Sequence, residues 1–287
     1  MKFILGIITV CGCVFGGYVA MGGKMGVLWQ PFEVVIIVGA AIGAMIIGNS
    51  KNVCIGFAKA FGVVAKGPKY KKAHFTELLC CLYQTLRLMK SKGVLAIESH
   101  IENPHESSLF SQFPKFQHDH HAVDFLCDYL RMISLGADNP HTMDDIMTME
   151  LEVHHQDEHQ VPAAVQSMAD GMPALGIVAA VLGIIKTMGS ITEPPAVLGK
   201  LIGSALVGTF LGVWIAYGFL GPMALYLNFI KEQESKYLSV IKTALISHLH
   251  GNAPAISVEF ARKALPHSLR PSFLEMEKTF EELPPVK

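Results

Sequence analysis

From Leu201 to Ile230 the chain runs for 30 residues without a single charged side chain. About 20 residues are enough to cross the hydrocarbon core of a bilayer as a helix. An unbroken stretch of this length therefore removes most soluble folds from consideration. Three more runs share the property. Phe3–Gly23 is uncharged for 21 residues, Val34–Ser50 for 17, and Gly171–Ile185 for 15, continuing past Lys186 to Thr192. The two shorter runs reach the required length if Glu33 and Lys186 sit at the membrane boundary, where a lysine can extend its amine to water. Half of the chain is apolar and 16% is charged, as a membrane protein requires. The first run lacks a small-residue cleavage site and is followed at once by another apolar run, so it reads as a retained helix rather than a signal peptide.

Lysine placement sets the orientation. Residues 51–72 hold six lysines (51, 59, 66, 69, 71 and 72) and no acid. The connectors at 24–33 and 186–200 hold only Lys24, Lys186 and Lys200 against Glu33 and Glu193. Positive charge collects on the cytoplasmic side, which puts the large middle segment and both termini inside. The expected class is an all-α membrane protein with four transmembrane helices. A large cytoplasmic helical domain separates helices 2 and 3, and a cytoplasmic helical tail follows helix 4. The expected divisions are 1–50, 51–168, 169–230 and 231–287.

In the middle segment Leu78, Leu79, Leu82, Leu86 and Met89 follow helical spacing. Asn103–Pro104 should break that region. "AVDFLCDYLRMIS" predicts an amphipathic helix ending near Gly136, and "MDDIMTMELEVHHQDEHQ" a polar one leading to the third span. The tail predicts a helix over 231–249, a turn at Gly251–Pro254, and a capping box at Ser272–Glu275. Glycines recur every four residues in the spans, at Gly12/Gly16, Gly39/Gly43, Gly199/Gly203 and Gly208/Gly212, with Ala216 next in register. Such spacing lets helices approach closely in lipid.

Six cysteines show neither CxxC nor zinc spacing, and reduced thiols suit a cytoplasm-facing protein. His155, Glu158 and His159 spell H-x-x-E-H, a metalloprotease pattern. No third ligand accompanies them, and the stretch is charged on all faces, so a solvated helix is the better reading. "HDHH" at 118–121 is read the same way. Neither a phosphate-binding loop nor a dinucleotide fingerprint is present, and no enzyme activity, metal or cofactor is expected.

The membrane segments are informative for what they lack. Ion pathways normally need an ionisable group at depth. Here Lys24, Glu33, Lys51, Asp170, Lys186 and Lys200 all fall near predicted span ends, and the polar residues within are chiefly Thr9, Thr209 and Tyr217. Either the chain moves no ions or a partner supplies the carboxylate. Pro173 and Pro222, near the cytoplasmic ends of the third and fourth spans, each remove a helical hydrogen bond and are candidate hinges.

"GMPALGIVAAVLGIIKTMGS", "GSALVGTFLGVWIAYGFLGP" and "AISVEFARKALPHSLRPSFLEME" resemble the MotA family of flagellar stator subunits, the MotA/PomA branch of the MotA/TolQ/ExbB family. So do "LLCCLYQTLRLMKSKGVLAIESHIENP" and "LWQPFEVVIIVGAAIG", and the likeness covers nearly the whole chain in order. The resemblance implies a ring of five copies around two copies of a single-span partner, MotB, whose aspartate carries the proton. It implies coupling roles for Pro173 and Pro222, and a place beside the partner's aspartate for Thr209. It also implies that Lys90 and Glu98, with Lys92 as neighbour, meet the rotor protein FliG. Many relatives carry arginine where Lys90 stands, so the charge is kept and bidentate pairing is lost. Sodium-driven relatives carry a threonine at the place of Ala180. Alanine offers no oxygen ligand, which favours protons. The implied location is the bacterial inner membrane. Energisers of the ExbB/TolQ type are the nearest alternative, but they usually have three spans. A passive scaffold would carry no proton flow.

Overall fold

The computed structural model describes residues 2–284. All regular structure among them is helical. In chain order the helices are α1 (Lys2–Ala20), α2 (Met25–Leu28), α3 (Pro31–Gly48), α4 (Lys51–Lys66), α5 (Lys72–Lys92), α6 (Glu98–Glu102) and α7 (Pro114–Gln117). Then follow α8 (His120–Ser134), α9 (Pro140–Met188), α10 (Pro195–Ile215), α11 (Gly221–Leu249), α12 (Pro254–Lys263) and α13 (Phe273–Glu281). A π-helical turn, Ala216–Leu220, joins α10 to α11 without a break.

Four stretches are long and apolar enough to span a bilayer: Phe3–Ala20, Met25–Gly48, the apolar part of Pro140–Met188, and that of Pro195–Leu249. The protein is a multi-pass, all-helical membrane protein. The third and fourth spans differ from expectation in one respect. The polar helix expected before span 3 is not a separate element, because α9 continues for 49 residues through Pro162 and Pro173. The same holds after span 4, where α11 runs on to Leu249. A change from polar to apolar composition does not end a helix, and neither proline interrupts the path of α9.

The chain divides into two compact units, Met1–Gly67 with Glu158–Ile230, and Pro68–Asp157 with Lys231–Lys287. The first is the membrane unit. Its interior is built from small and medium side chains, among them Ile37, Ala41, Ala60, Val165, Ala169, Ala179 and Ala216. The second is packed with large ones. Phe75, Leu78, Leu82, Leu86, Phe110, Phe116 and Tyr237 are all fully buried there. Its centre is an aromatic stack, with the rings of Tyr70 and Tyr237 4.0 Å apart and parallel. The Tyr70 hydroxyl donates to Asp119 at 2.6 Å, and Lys69 pairs with the same carboxylate at 2.9 Å. Asp119 is buried, and these two contacts satisfy it.

Local signals in the second unit act as expected. Gly136 and Gly251 adopt positive φ (94° and 88°) where α8 and α11 end. Ser272 and Glu275 form the reciprocal capping box that opens α13. The six cysteines are unpaired. Burial pushes the thiols of Cys80 and Cys127 up to about 12, so they stay protonated and inert.

Candidate functional site

The tightest crossing in the membrane unit lies between α9 and α10. A Cβ added at Gly212 would stand 2.7 Å from the Met172 carbonyl oxygen and 2.9 Å from the Gly176 Cα. One added at Gly176 would stand 2.9 Å from the Gly208 oxygen and 3.3 Å from the Thr209 Cα. Only glycine permits backbones this close. The approach brings three of the expected residues together. Pro173 lies one residue beyond Met172, Thr209 sits against Gly176, and the Ala180 backbone faces Gly208 at 3.2 Å from that position's would-be Cβ. Ala180 is buried; Pro173 and Thr209 are half-buried.

Pro222 and Tyr217 lie further along, at the π-helical turn. There the Gly221 N–H donates to the Ala216 oxygen, a five-residue step instead of four. A proline cannot donate to, and clashes with, the carbonyl four residues before it. The widened turn directly before Pro222 accommodates that defect, and π turns of this kind often mark functional positions in helices. Tyr217 is on this turn and exposed, as is Pro222.

One residue of this site was not foreseen. The sequence places Glu33 at the end of span 2, and it does stand in the first turn of α3. Its carboxylate, however, reaches inward between α9 and α10. Oε2 lies 3.0 Å from the would-be Cβ of Gly208, and Oε1 3.7 Å from that of Gly183. Oε2 is out of solvent contact with no hydrogen-bond partner. Gly183 and Gly208 are the vacancies that admit it: a side chain at Gly208 would occupy its place. The membrane unit therefore holds a half-buried carboxylate against Gly183 and Gly208. Only the glycines at 183 and 208 could have signalled this, and their spacing to Glu33 is not local.

The remaining face of α9 is apolar and open. Ile177, Val178, Val181, Leu182, Ile184 and Ile185 are each 43–62% exposed. The glycine pairs divide in the same way. Gly208 and Gly212 are used in packing within the chain, whereas Gly12, Gly16, Gly39, Gly43, Gly199 and Gly203 meet nothing within 4 Å.

In the second unit Lys90 and Lys92 occupy the last turn of α5, where cations suit the helix dipole. Gly93 (φ 86°) closes that helix, a 3-10 turn Val94–Ile97 follows, and Glu98 opens α6. All three charged side chains are exposed, and none forms an ion pair among the described residues. One short turn thus carries both signs of charge at its surface. Behind it His100 is buried on Ser107, its ring nitrogen 2.8 Å from the hydroxyl. Among the described residues no group of three or more His, Cys, Asp or Glu side chains is placed to hold a metal ion.

Residues 4–93 match the motility protein A N-terminal family, and residues 117–240 the MotA/TolQ/ExbB proton channel family. Motility protein A of Escherichia coli (strain K12) is 43% identical over 97% of this chain and 94% of that one. Among solved structures, that of C. jejuni MotAB superposes with a TM-score of 0.78 at 20% identity, covering 95% of this chain and 98% of that one, and shares the fold. The flagellar MotAB stator complex from Bacillus subtilis gives 0.69 at 25% identity, covering 92% and 95%. The chain belongs to the motility protein A branch of the MotA/TolQ/ExbB proton channel family.

Proposed function

We propose that this chain is a flagellar stator subunit that pairs with a MotB-type single-span protein to form a proton channel and turns the proton gradient into torque. The carrying observation is the α9–α10 crossing. It sets Pro173, Ala180 and Thr209 around a glycine-only contact, beside an open apolar face on α9. That face accepts a partner's helix but carries no ionisable group to take a proton across. The partner's aspartate fills that role, and the Thr209 hydroxyl can exchange a hydrogen bond with it. Glu33 adds a second carboxylate from this chain itself. Its place against Gly208, in the α9–α10 crossing, suits a station for the proton on its way to the partner's aspartate. The absence of an oxygen ligand at Ala180 supports protons over sodium.

Neutralising the partner's aspartate removes its charge and changes what it prefers to touch on this chain. The ring of subunits, five by family resemblance, then turns or shifts about the partner dimer. The open glycine pairs on α1, α3 and α10 support packing between copies. Pro173 and the π turn before Pro222 are the places where α9 and the α10–α11 helix can flex. One proton crossing ~150 mV releases roughly 3.5 kcal/mol, several times thermal energy. Lys90, Lys92 and Glu98 pass the motion to a rotor protein of the FliG type through transient ion pairs. Exposed pairs are worth only ~0–1 kcal/mol each and are screened by salt. The lysine-rich segment 51–72 supports an inner-membrane protein with both termini in the cytoplasm.

Complementation of a stator-deleted strain tests the reading. The double reversal Lys90→Glu with Glu98→Lys should reach wild-type levels in the membrane yet impair swarming by tenfold or more in swarm area, on the order of the loss of two ion pairs per contact. Full motility of that variant would remove the rotor contact from the account. Motility of the wild-type complement in sodium-free medium should be undiminished.

A further inference from the structure

Two residues, Asn49 and Ser50, separate the end of span α3 from α4, and the Ser50 hydroxyl accepts the Val53 N–H to set the exit angle. α4 is therefore held beside the membrane boundary. Its inner face is committed. Val53, Ala60 and Val64 are buried, and Gly56 abuts Val161 of α9 so closely that a Cβ would stand 2.5 Å from its methyl group. The opposite face is not. Lys51, Lys59 and Lys66 project from it, within about 80° of one another at 3.6 residues per turn, and all three are exposed. Ile55 shares that face at 45% exposure, and Phe61, 54% exposed, stands at its edge about 80° round from Lys51.

The charge on this face is unspent. Lys69 and Lys72, further along the same lysine-rich segment, are paired with Asp119 and Glu275. Lys51, Lys59 and Lys66 form no ion pair among the described residues, and no acid lies between 51 and 72. A stripe meant only for water would have no use for isoleucine among its lysines and phenylalanine at its edge. Cations with one large apolar side chain among them and another at their edge, at the mouth of a span, match the chemistry of a phospholipid interface.

We propose that the exposed face of α4 docks on anionic phospholipid headgroups. Lys51, Lys59 and Lys66 meet the phosphates, and Ile55, with Phe61 at the edge of the face, enters the headgroup–acyl boundary. The inference rests on the membrane spans alone and not on proton conduction or rotor contact. It makes α4 a fixed footing at the membrane surface for the chain that continues into α5.

Amine acetylation of the full chain in nanodiscs, read residue by residue by mass spectrometry, tests it. Discs of phosphatidylcholine alone are compared with discs containing one quarter phosphatidylglycerol. Lys24 and Lys200, exposed near the ends of other spans, report any general effect of the charged surface on amine reactivity. Relative to those two, acetylation of Lys51, Lys59 and Lys66 is expected to slow about fivefold in the phosphatidylglycerol discs, the equivalent of ~1 kcal/mol per lysine at an anionic surface. Half-molar salt should abolish the difference. Equal rates in the two kinds of disc would overturn the proposal. So would protection in phosphatidylcholine discs that appears only when the single-span partner is present, since the occupant would then be an acidic protein surface.

Discussion

The two units of this chain solve packing in opposite ways. In the membrane unit the closest helix crossing is made by backbone: Gly176 and Gly212 meet with no side chain between them. In the second unit the tightest contact is all side chain, the Tyr70–Tyr237 stack closed by Phe75 and Asp119. The difference follows from the solvent. In water, burial of large apolar groups drives packing, so the second unit puts its aromatic residues inside. In lipid no such force acts between helices, and close approach of small residues replaces it. The membrane unit can therefore leave its large residues on the outside. That outward apolar surface is what a partner helix and lipid require.

Substitutions should break the two arrangements unequally. Tyr237→Ala empties the centre of the second unit and is expected to cost about 3–5 kcal/mol, read as a fall in melting temperature of the purified chain. Tyr237→Phe should change stability by less than about 1 kcal/mol, because the buried Tyr237 hydroxyl has no hydrogen-bond partner to lose. A large loss in the phenylalanine variant would mean that the hydroxyl is bonded and the stack misdescribed. Gly212→Val comes next. Its side chain would collide with the Met172 carbonyl, at a cost of about 1–3 kcal/mol from overpacking. Gly12→Ala, where nothing lies within 4 Å, should leave the thermal stability of the detergent-solubilised monomer unchanged or slightly raised. Equal penalties at Gly212 and Gly12 would erase the distinction between inner and outer glycines.

Protonation should separate the units more gently. Burial, together with Lys115 at His74 and Lys92 at His100, holds those two imidazoles below the usual histidine value near 6.5; burial does the same at His248. All three belong to the second unit. A group with a depressed folded pKa binds fewer protons folded than unfolded, so its stabilising contribution is full above about 6.5 and is lost as pH falls below that. The Glu259 carboxylate, held below its usual range by Arg262, adds a loss of the same sign in more acidic solution. Hydrogen exchange between pH 7 and 5, corrected for its intrinsic pH dependence, should show amides of α5 and α11 losing protection while those of α10 keep theirs. A uniform response would mean that the histidines carry no differential stability.

Much of this architecture is legible in the sequence, for physical reasons. Uncharged length marks the four spans. Gly136, Gly251 and Ser272 mark helix ends, because positive φ and side-chain capping are local properties. The extent of α9 is not legible in the same way. Its polar half and apolar half read as two stretches with Pro173 as a candidate hinge between them, yet one helix passes through both, and through Pro162 and Pro173. For the site, family resemblance singled out Pro173, Ala180, Thr209 and Pro222, and the glycines explain why the first three meet. Glu33 escaped. Its burial depends on Gly183 and Gly208, two helices away, and nothing in its own neighbourhood announces that its carboxylate turns inward.

Proton flux into proteoliposomes tests most directly the central claim that this chain is half of a channel. The chain reconstituted alone should give no flux above empty vesicles, despite Glu33. Reconstituted with its single-span partner it should conduct, and replacing the partner's membrane aspartate by asparagine should return the flux to background. Conduction by this chain alone, lost on Glu33→Gln, would contradict the account and place the proton path wholly within it.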